Sequence, residues 1–386
     1  MKKILVANIG TASKKYSFYE DGAEKVNLHF EETKDGIIFT EKVKNLSTTS
    51  KISQAEYEAN GATVVKILKE RGSIANEDEI SAVGFRIVAP GKFFTETLVI
   101  DAEYLENLKK AGDIAPLHIR LMTGEIESMM KILPNAQKLA VSDSTFYKEM
   151  PEFTHRYALP KEMSERFDVY RFGYHGISMQ SVVRKLGSLP PKTIICHLGS
   201  GTSITALLNG KPLDTTMGFT PLEGVMMSTR IGDFDAGALI YLLKKTGKTP
   251  EELRKYLSEE CGLKGVSEKS GDIRDLVSAR DEGDENAKLA LQMFVHRIKK
   301  YIGAYTAALG GLDQIVFTGM VGQRSFILRR EICDGLQALG ISIDLAKNDI
   351  TTDTDADISG ADSKAKVLVV WANEMGEIAQ EMERLG

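Results

Sequence analysis

Residues 171–237 carry RFGYHGIS, HLGSGTS and DTTMGFTPLEGVMMSTRIGDFDAG, a dense supply of cations, hydroxyls and glycines. His175, His197 and Arg230 bring donors and positive charge, while Gly199-Ser200-Gly201 brings bare backbone N–H groups and a hydroxyl. Such a set suits a cluster of anionic oxygens, as in a phosphoryl group. Phosphoryl transfer asks little covalent chemistry of a protein; it asks for positioned donors and cations and a carboxylate or two for a metal ion. Outside this region, Arg86 in GFRIVAPG offers a further cation, and Asp143 in VSDSTF and Glu374 in ANE offer carboxylates.

The elements that must hold these groups are legible as an internal echo. Near the start, ILVANIGTASKKYSFYEDG reads as a strand, the turn Gly10-Thr11-Ala12-Ser13, and a second strand ending at Asp21-Gly22. Near the middle, TIICHLGSGTSITALLNG repeats that plan around Gly199-Ser200-Gly201-Thr202-Ser203 and ends at Asn209-Gly210. Gly10 and Gly199 lie 189 residues apart, about half of the 386. Turns of Gly, Ser and Thr gather N–H groups and hydroxyls at one point, which suits a phosphate. Two such hairpins predict a duplicated domain, and the pattern is similar to the sugar kinase, Hsp70 and actin superfamily. A third loop, Gly319-Met320-Val321-Gly322, follows the apolar run 312–318 and precedes a helical stretch predicted over 325–339. A glycine turn entering a helix directs N–H groups at an anion. Elsewhere the periodicity predicts one helix over 55–70, strands at 16–19, 79–88 and 139–142, and a looser polar stretch after Pro151.

Composition sets limits on partners. The chain is 42% hydrophobic and 27% charged, as soluble globular proteins are, and its net charge is −5 from 49 basic and 54 acidic residues. That balance gives no electrostatic reason to seek nucleic acid or an anionic membrane. Cys196, Cys261 and Cys333 are widely spaced without a CxxC pair, which fits a reducing compartment better than disulfides or zinc. No apolar run approaches the length of a membrane span, and MKKILVANIG is too short in apolar residues for a signal peptide. A cytoplasmic protein is expected.

The string MGFTPLEGVMMSTRIGD closely resembles a motif of the acetate and propionate kinase family. NIGTASKKY, APLH at 115–118, FGYHGIS, CHLGSGTS, SGDIRD at 270–275 and ANE at 372–374 resemble further family motifs, in family order and over nearly the whole chain. The resemblance implies a homodimeric, Mg²⁺-dependent kinase (Mn²⁺ being the alternative ion) that moves a phosphoryl group between ATP and a short carboxylate, giving an acyl phosphate and ADP.

The resemblance also implies roles. Arg230 takes the transferring phosphoryl, and a planar guanidinium can fork onto it. Arg86 takes the substrate carboxylate, although Phe85 and Ala89-Pro90 depart from the family pattern around it. His175 donates to the phosphoryl, with Ile177 and Met179 departing from the family's residues after it. Asp143 positions acceptor and metal. Asn8 and Glu374 form the Mg²⁺ pair, Glu374 directly and Asn8 through water, since a hard ion keeps several waters. Val88, Leu117 and Pro221 match the acid's apolar pocket and Tyr174 stands where the family has phenylalanine; one methylene there is worth only about 1–3 kcal/mol, so acetate and propionate are not separated by reading. Ser13, Lys15, Gly199 and Gly201 match phosphate contacts, Ser200 stands in the same turn where the family has asparagine, and His197 falls between phosphate contact and packing. Asp272, Ile273 and Arg274, with Gly319, Met320, Val321 and Gly322, match the nucleotide side.

Departures converge at that nucleotide side. Met320 stands where the family has glycine and Arg324 where it has asparagine. A methionine there either folds aside or fills space the purine needs. ATP is the expected donor, with pyrophosphate the alternative. The expected fold is α/β: two similar lobes, each a mixed sheet flanked by helices, about a central cleft lined by Arg86, Asp143, His175 and Arg230. The first lobe is expected to cover 1–148 and 374–386, the second 149–373. The other readings are a superfamily kinase with a different acceptor and a nucleotide-switched binding protein.

Overall fold

The computed structural model describes residues 2–10, 13–33, 36–44, 46–112, 114 and 116–385, with the side chains of all but 60 and 116–118. The chain divides into two compact units, Met1–Thr145 with Asn373–Gly386, and Phe146–Ala372.

The first unit is built on β1 (Lys3–Ile9), β2 (Ser13–Glu20), β3 (Ala23–Thr33), β4 (Gly36–Val43), β5 (Leu46–Ile52), β6 (Ala82–Ile87), β7 (Leu98–Val99) and β8 (Gln137–Ser142). They form a sheet in the order β5-β4-β3-β2-β1-β6-β8-β7. Strands β1 to β5 make an antiparallel meander, while β6 runs parallel to β1 and β8 parallel to β6. The run Ile4-Leu5-Val6-Ala7 is central because it is apolar at every position, and all four residues are buried. Each such Ile, Leu or Val contributes about 1.5–3 kcal/mol by leaving water. On one face Leu5 and Ala7 join a core with Ile126 and Met129 of the helix Pro116–Ile132. The helix Glu374–Leu385 packs on β1 and β6, where Gly84 leaves the room that Met382 and Ile378 occupy.

The second unit repeats the plan with β9 (Lys192–Leu198), β10 (Thr202–Leu208), β11 (Lys211–Thr215), β12 (Gln314–Thr318), β13 (Ala356–Asp357) and β14 (Lys366–Val369), in the order β11-β10-β9-β12-β14-β13. Three antiparallel strands are followed by two parallel ones, β12 beside β9 and β14 beside β12. The five-strand runs β3-β2-β1-β6-β8 and β11-β10-β9-β12-β14 therefore share one topology. Each carries an extra antiparallel edge strand, β7 or β13. The hairpins read from the sequence are β1–β2 and β9–β10.

Several elements differ from their sequence expectation. The helix expected over 55–70 is two, Gln54–Glu58 and Asn60–Glu70, broken at Ala59 (φ −87°, ψ 27°). The first is closed at its start by a capping box between Ser53 and Glu56. The strand expected from 79 begins at Ala82, because Asn76 caps a 3-10 turn over Glu77–Glu79. The stretch after Pro151 holds two short helices, Glu152–His155 and Lys161–Phe167. The turn expected at 319–322 is helical: Gly319–Arg324 forms one short helix and Phe326–Cys333 the next, with Ser325 Oγ accepting from the Leu328 N–H at 3.4 Å.

Candidate functional site

In the first unit the parallel strands bring their carboxyl ends together, the usual place for ligands in an open α/β sheet. Arg86 is the penultimate residue of β6, and its neighbour Ile87 pairs with Ser142, so Asp143 follows directly at the end of β8. The Asp143 N–H donates to the Ile87 carbonyl at 2.9 Å. Glu374 opens the C-terminal helix, whose first turn is fixed by the Asn373 side chain accepting from the Gly376 N–H at 2.9 Å. A carboxylate in this first turn is favoured by the helix dipole.

The Arg86 guanidinium spans both acids. Nη2 donates to Asp143 Oδ2 at 2.7 Å and Nη1 to Glu374 Oε2 at 2.9 Å. The side chains are 14%, 1% and 22% exposed for Arg86, Asp143 and Glu374, so the pairing is largely shielded from water. Burial alone would lower the pKa of Arg86, but Asp143 and Glu374 outweigh it and hold the guanidinium above its ordinary value. Arg86 is thus a permanent cation. Asn8 lies at the same end of β1, paired across the hairpin with Lys15, and Ser13 begins β2 with its carbonyl accepting from the Gly10 N–H at 2.8 Å. Val88 is half-buried just beyond β6. Leu117 falls in the helix Pro116–Ile132, and its side chain lies outside the described residues. Thr11 and Ala12 of the first turn lie outside them as well.

In the second unit the site is built around the β9–β10 turn. His175 sits immediately before the helix Gly176–Leu186 in the left-handed region (φ 62°), an uncommon conformation for a side-chain-bearing residue. Its neighbours enforce this. The Tyr147 hydroxyl donates to the Tyr174 carbonyl at 2.9 Å, and Gly173 (φ 71°) lies so close to the Tyr147 ring that no Cβ would fit. Buried Tyr174 is anchored by its own hydroxyl, which donates to the Phe219 carbonyl at 2.7 Å.

Two histidines are held by two serines. His175 Nδ1 lies 3.0 Å from Ser203 Oγ, and His197 Nδ1 lies 2.8 Å from Ser178 Oγ. The rings stack with centroids 4.3 Å apart and planes 26° from parallel. With Nδ1 engaged by serine, Nε2 of His175 is left facing Gly201: a Cβ added there would lie 3.0 Å from it and 3.6 Å from Arg230 Nη1. His175 and Arg230 therefore converge over bare backbone of the Gly199-Ser200-Gly201 turn. Arg230 also donates to the Pro221 carbonyl at 3.4 Å, and its own backbone carbonyl accepts from the Met227 N–H at 3.0 Å. Gly262 (φ 62°) presses on that same segment, where a Cβ would meet the Arg230 carbonyl at 2.7 Å.

The nucleotide-side residues divide. Gly319 (φ 75°) abuts the end of β9, since a Cβ there would meet the Leu198 carbonyl at 2.6 Å. Met320 is 58% exposed, with Sδ 3.5 Å from Nη1 of Arg324. The Arg324 guanidinium in turn lies over the Trp371 ring at 5.4 Å and 3.4 Å from Asp353. Val321 is half-buried and Gly322 buried. Asp272 caps the helix Ile273–Asp281 and grips Arg274 at 2.6 Å, which lowers the Asp272 pKa by hydrogen bonding against the opposing effect of burial. Ile273 packs into the hydrophobic core of the second unit.

Sequence reasoning did not single out Ser203, Ser178 or Tyr147 as site residues. A signal existed for Ser203: in the β9–β10 hairpin it pairs with His197, so it must stand beside the histidines. Ser178 is three residues beyond His175, one helical turn away. Tyr147 carries no such pattern.

Relatives share this arrangement of sequence and fold. The chain is 37% identical to the acetate kinase of Bacillus mycoides over 395 residues, covering 100% of this chain and 99% of that one. The crystal structure of acetate kinase from Porphyromonas gingivalis superposes with a TM-score of 0.86 at 34% identity, covering all of both chains. That of a propionate kinase from Francisella tularensis gives 0.88 at 30% identity, covering 99% of each. The model of the acetokinase family matches residues 3–380. By sequence over its whole length and by fold, the chain belongs to the acetokinase family.

Proposed function

We propose that the protein is an acetate kinase-like phosphotransferase, passing the γ-phosphoryl group of ATP to acetate or another short-chain carboxylate. A carboxylate oxygen of the acid forms a bond to the γ-phosphorus as the bond to the β,γ-bridging oxygen breaks. That electron pair leaves with ADP, and the acyl phosphate is the product. The observation that carries this reading is the convergence of His175 and Arg230 over Gly201. Two donors of that kind stabilise charge spread over the phosphoryl oxygens. Arg86, a buried cation, receives the acid's carboxylate, and Val88, two residues beyond it, offers apolar surface for its short chain. The serines hold each histidine by Nδ1, so that Nε2 is the working atom. Ser13, Lys15 and the Gly199–Gly201 turn contact phosphates, and the segments at 272–274 and 319–322 border the nucleoside.

Glu374 and Asn8 offer oxygen donors, which suit a hard ion such as Mg²⁺. Among the described residues there is no cluster of three His, Cys, Asp or Glu side chains arranged to hold an ion. Mg²⁺ needs only one or two carboxylates, completing its shell from phosphate oxygens and water. Glu374 would hold it, with Asn8 acting through water, and the ion would neutralise phosphate charge. Glu374→Ala is expected to raise the Mg²⁺ concentration needed for half-maximal rate by about tenfold or more, on the scale of one lost charge-assisted contact. A rate titration with MgCl₂ reads this, and an unchanged requirement would remove Glu374 from the metal site.

A homodimer in the cytoplasm completes the reading. The helix Ala236–Thr246 carries no buried residue, yet Leu239, Ile240 and Tyr241 are exposed at 39%, 54% and 59%. Contiguous apolar surface of this kind marks an interface, and a second copy of the chain is the occupant proposed. Light scattering should give twice the 42.5 kDa chain mass for the wild type and a shift toward monomer for Ile240→Glu. A monomeric wild type would end the proposal.

The reaction itself is tested by trapping acyl phosphate as the hydroxamate, with ATP or pyrophosphate as donor and a series of acids. ATP with acetate or propionate should give product. Activity confined to a sugar or a long acid, or nucleotide hydrolysis without trapped acyl phosphate, would overturn the assignment.

A further inference from the structure

Arg329 lies outside every role assigned above, and its side chain is wholly buried. A guanidinium has five N–H donors, and here five hydrogen bonds run from it to neutral oxygens. Nε donates to Asn348 Oδ1 at 2.9 Å. Nη1 donates to the carbonyls of Gly322 and Gln323 at 2.9 and 2.7 Å. Nη2 donates to the carbonyls of Asn348 and Thr351 at 2.9 and 2.6 Å. Burying a cation against neutral acceptors is costly, and desolvation lowers the Arg329 pKa to about 10.

The acceptors explain what this achieves. Gly322 and Gln323 lie in the last turn of the helix Gly319–Arg324, and Asn348 and Thr351 close the helix Leu345–Ile350. Carbonyls at helix C-termini have no partner within the helix and carry the negative end of its dipole. One buried cation therefore ties two helix ends together. The helix Gly319–Arg324 has only six residues, two of them glycine, and is too short to hold itself. Its start is fixed where Gly319 meets the Leu198 carbonyl at the end of β9. Its end is fixed by Arg329 and by Gln323 Nε2, which donates to the Val370 carbonyl at 3.2 Å. Between these two anchors stands solvent-facing Met320.

We propose that Arg329 is a positioning residue for the nucleotide: by gripping the Gly322 and Gln323 carbonyls from inside the core, it sets where segment 319–323 meets the nucleoside end of ATP. This rests on reading 319–322 as nucleotide-binding.

Arg329→Lys keeps the charge but loses the planar fork. It is expected to raise the KM for ATP and the calorimetric Kd for ADP about tenfold each, while leaving the acid's KM within about twofold. A merely stabilising residue would lower the melting temperature without separating the two KM values. Met320→Trp, at the exposed face of the same segment, is the companion variant and should raise the ATP KM. If Met320→Trp acts and a folded Arg329→Lys leaves ATP KM and ADP Kd unchanged, or raises both substrates' KM in parallel, the positioning role falls alone. If Met320→Trp has no effect on the ATP KM, the nucleotide reading of the segment falls and this inference with it. Should Arg329→Lys not fold, Asn348→Ser removes one acceptor of the same fork. It should raise the ATP KM selectively by about threefold, and an unchanged value would overturn the proposal.

Discussion

Arg230→Ala is expected to lower kcat by at least roughly a hundredfold, the scale on which one preorganised charge-stabilising donor acts. Arg230 stands with His175 over Gly201, where phosphoryl charge would grow, and its Nη1 lies 3.6 Å from the position a Cβ of Gly201 would take. A donor that meets charge mainly in the transition state shows its loss in kcat and kcat/KM together, with the KM for acetate little moved. Arg230→Lys should recover only part of the rate, because an ammonium cannot fork. Steady-state kinetics on a variant with wild-type circular dichroism checks this. Near-normal kcat would take Arg230 out of the mechanism.

Arg86→Ala is expected to do two things at once. Removing the cation would take away the proposed partner of the substrate's carboxylate, for an expected loss of at least roughly a hundredfold in kcat/KM for acetate. It also leaves Asp143, only 1% exposed, and Glu374 facing each other without the charge that joins them. Removing one partner of a buried ion pair costs about 3–5 kcal/mol, so a large fall in melting temperature accompanies the loss of activity. Arg86→Lys separates the effects. It keeps a charge for Asp143 and restores stability, while the geometry needed for bidentate binding stays lost. A stable Arg86→Ala protein with an unchanged acetate KM would contradict both halves.

What was legible in the sequence follows from how local each signal is. The two hairpins announced themselves because glycine and hydroxyl turns between apolar runs are chain-local, and β1–β2 and β9–β10 are where they were read. The shared strand order of the two sheets was implied by those hairpins alone. The break at Ala59 was not legible, since the apolar spacing continues through it. The helix Gly319–Arg324 was misread as a turn because two glycines in six residues argue against helix, and its support comes from Arg329, Gln323 and the end of β9 instead. Arg329 itself had a faint signature. It falls on the stripe Leu328, Ile332 and Cys333 that the helix Phe326–Cys333 buries, where a charged residue must have a complete set of partners. Tyr147 makes its contacts to Tyr174 and Gly173 with no spacing rule to announce them.

The first unit is discontinuous, and this bears on how the protein is made. A ribosome delivers residues 1–145 early, but the helix Glu374–Leu385 that covers β1 and β6 emerges only after the whole of the second unit. Until then Gly84 and the apolar face around it have no cover from Met382 and Ile378. The contiguous second unit has its whole sequence before that helix appears, and domains generally fold as units. Glu374, which opens that helix and pairs with Arg86, therefore arrives after the second unit, so a nascent chain stalled before residue 374 holds the Gly199–Gly201 turn but not the carboxylate that Arg86 grips.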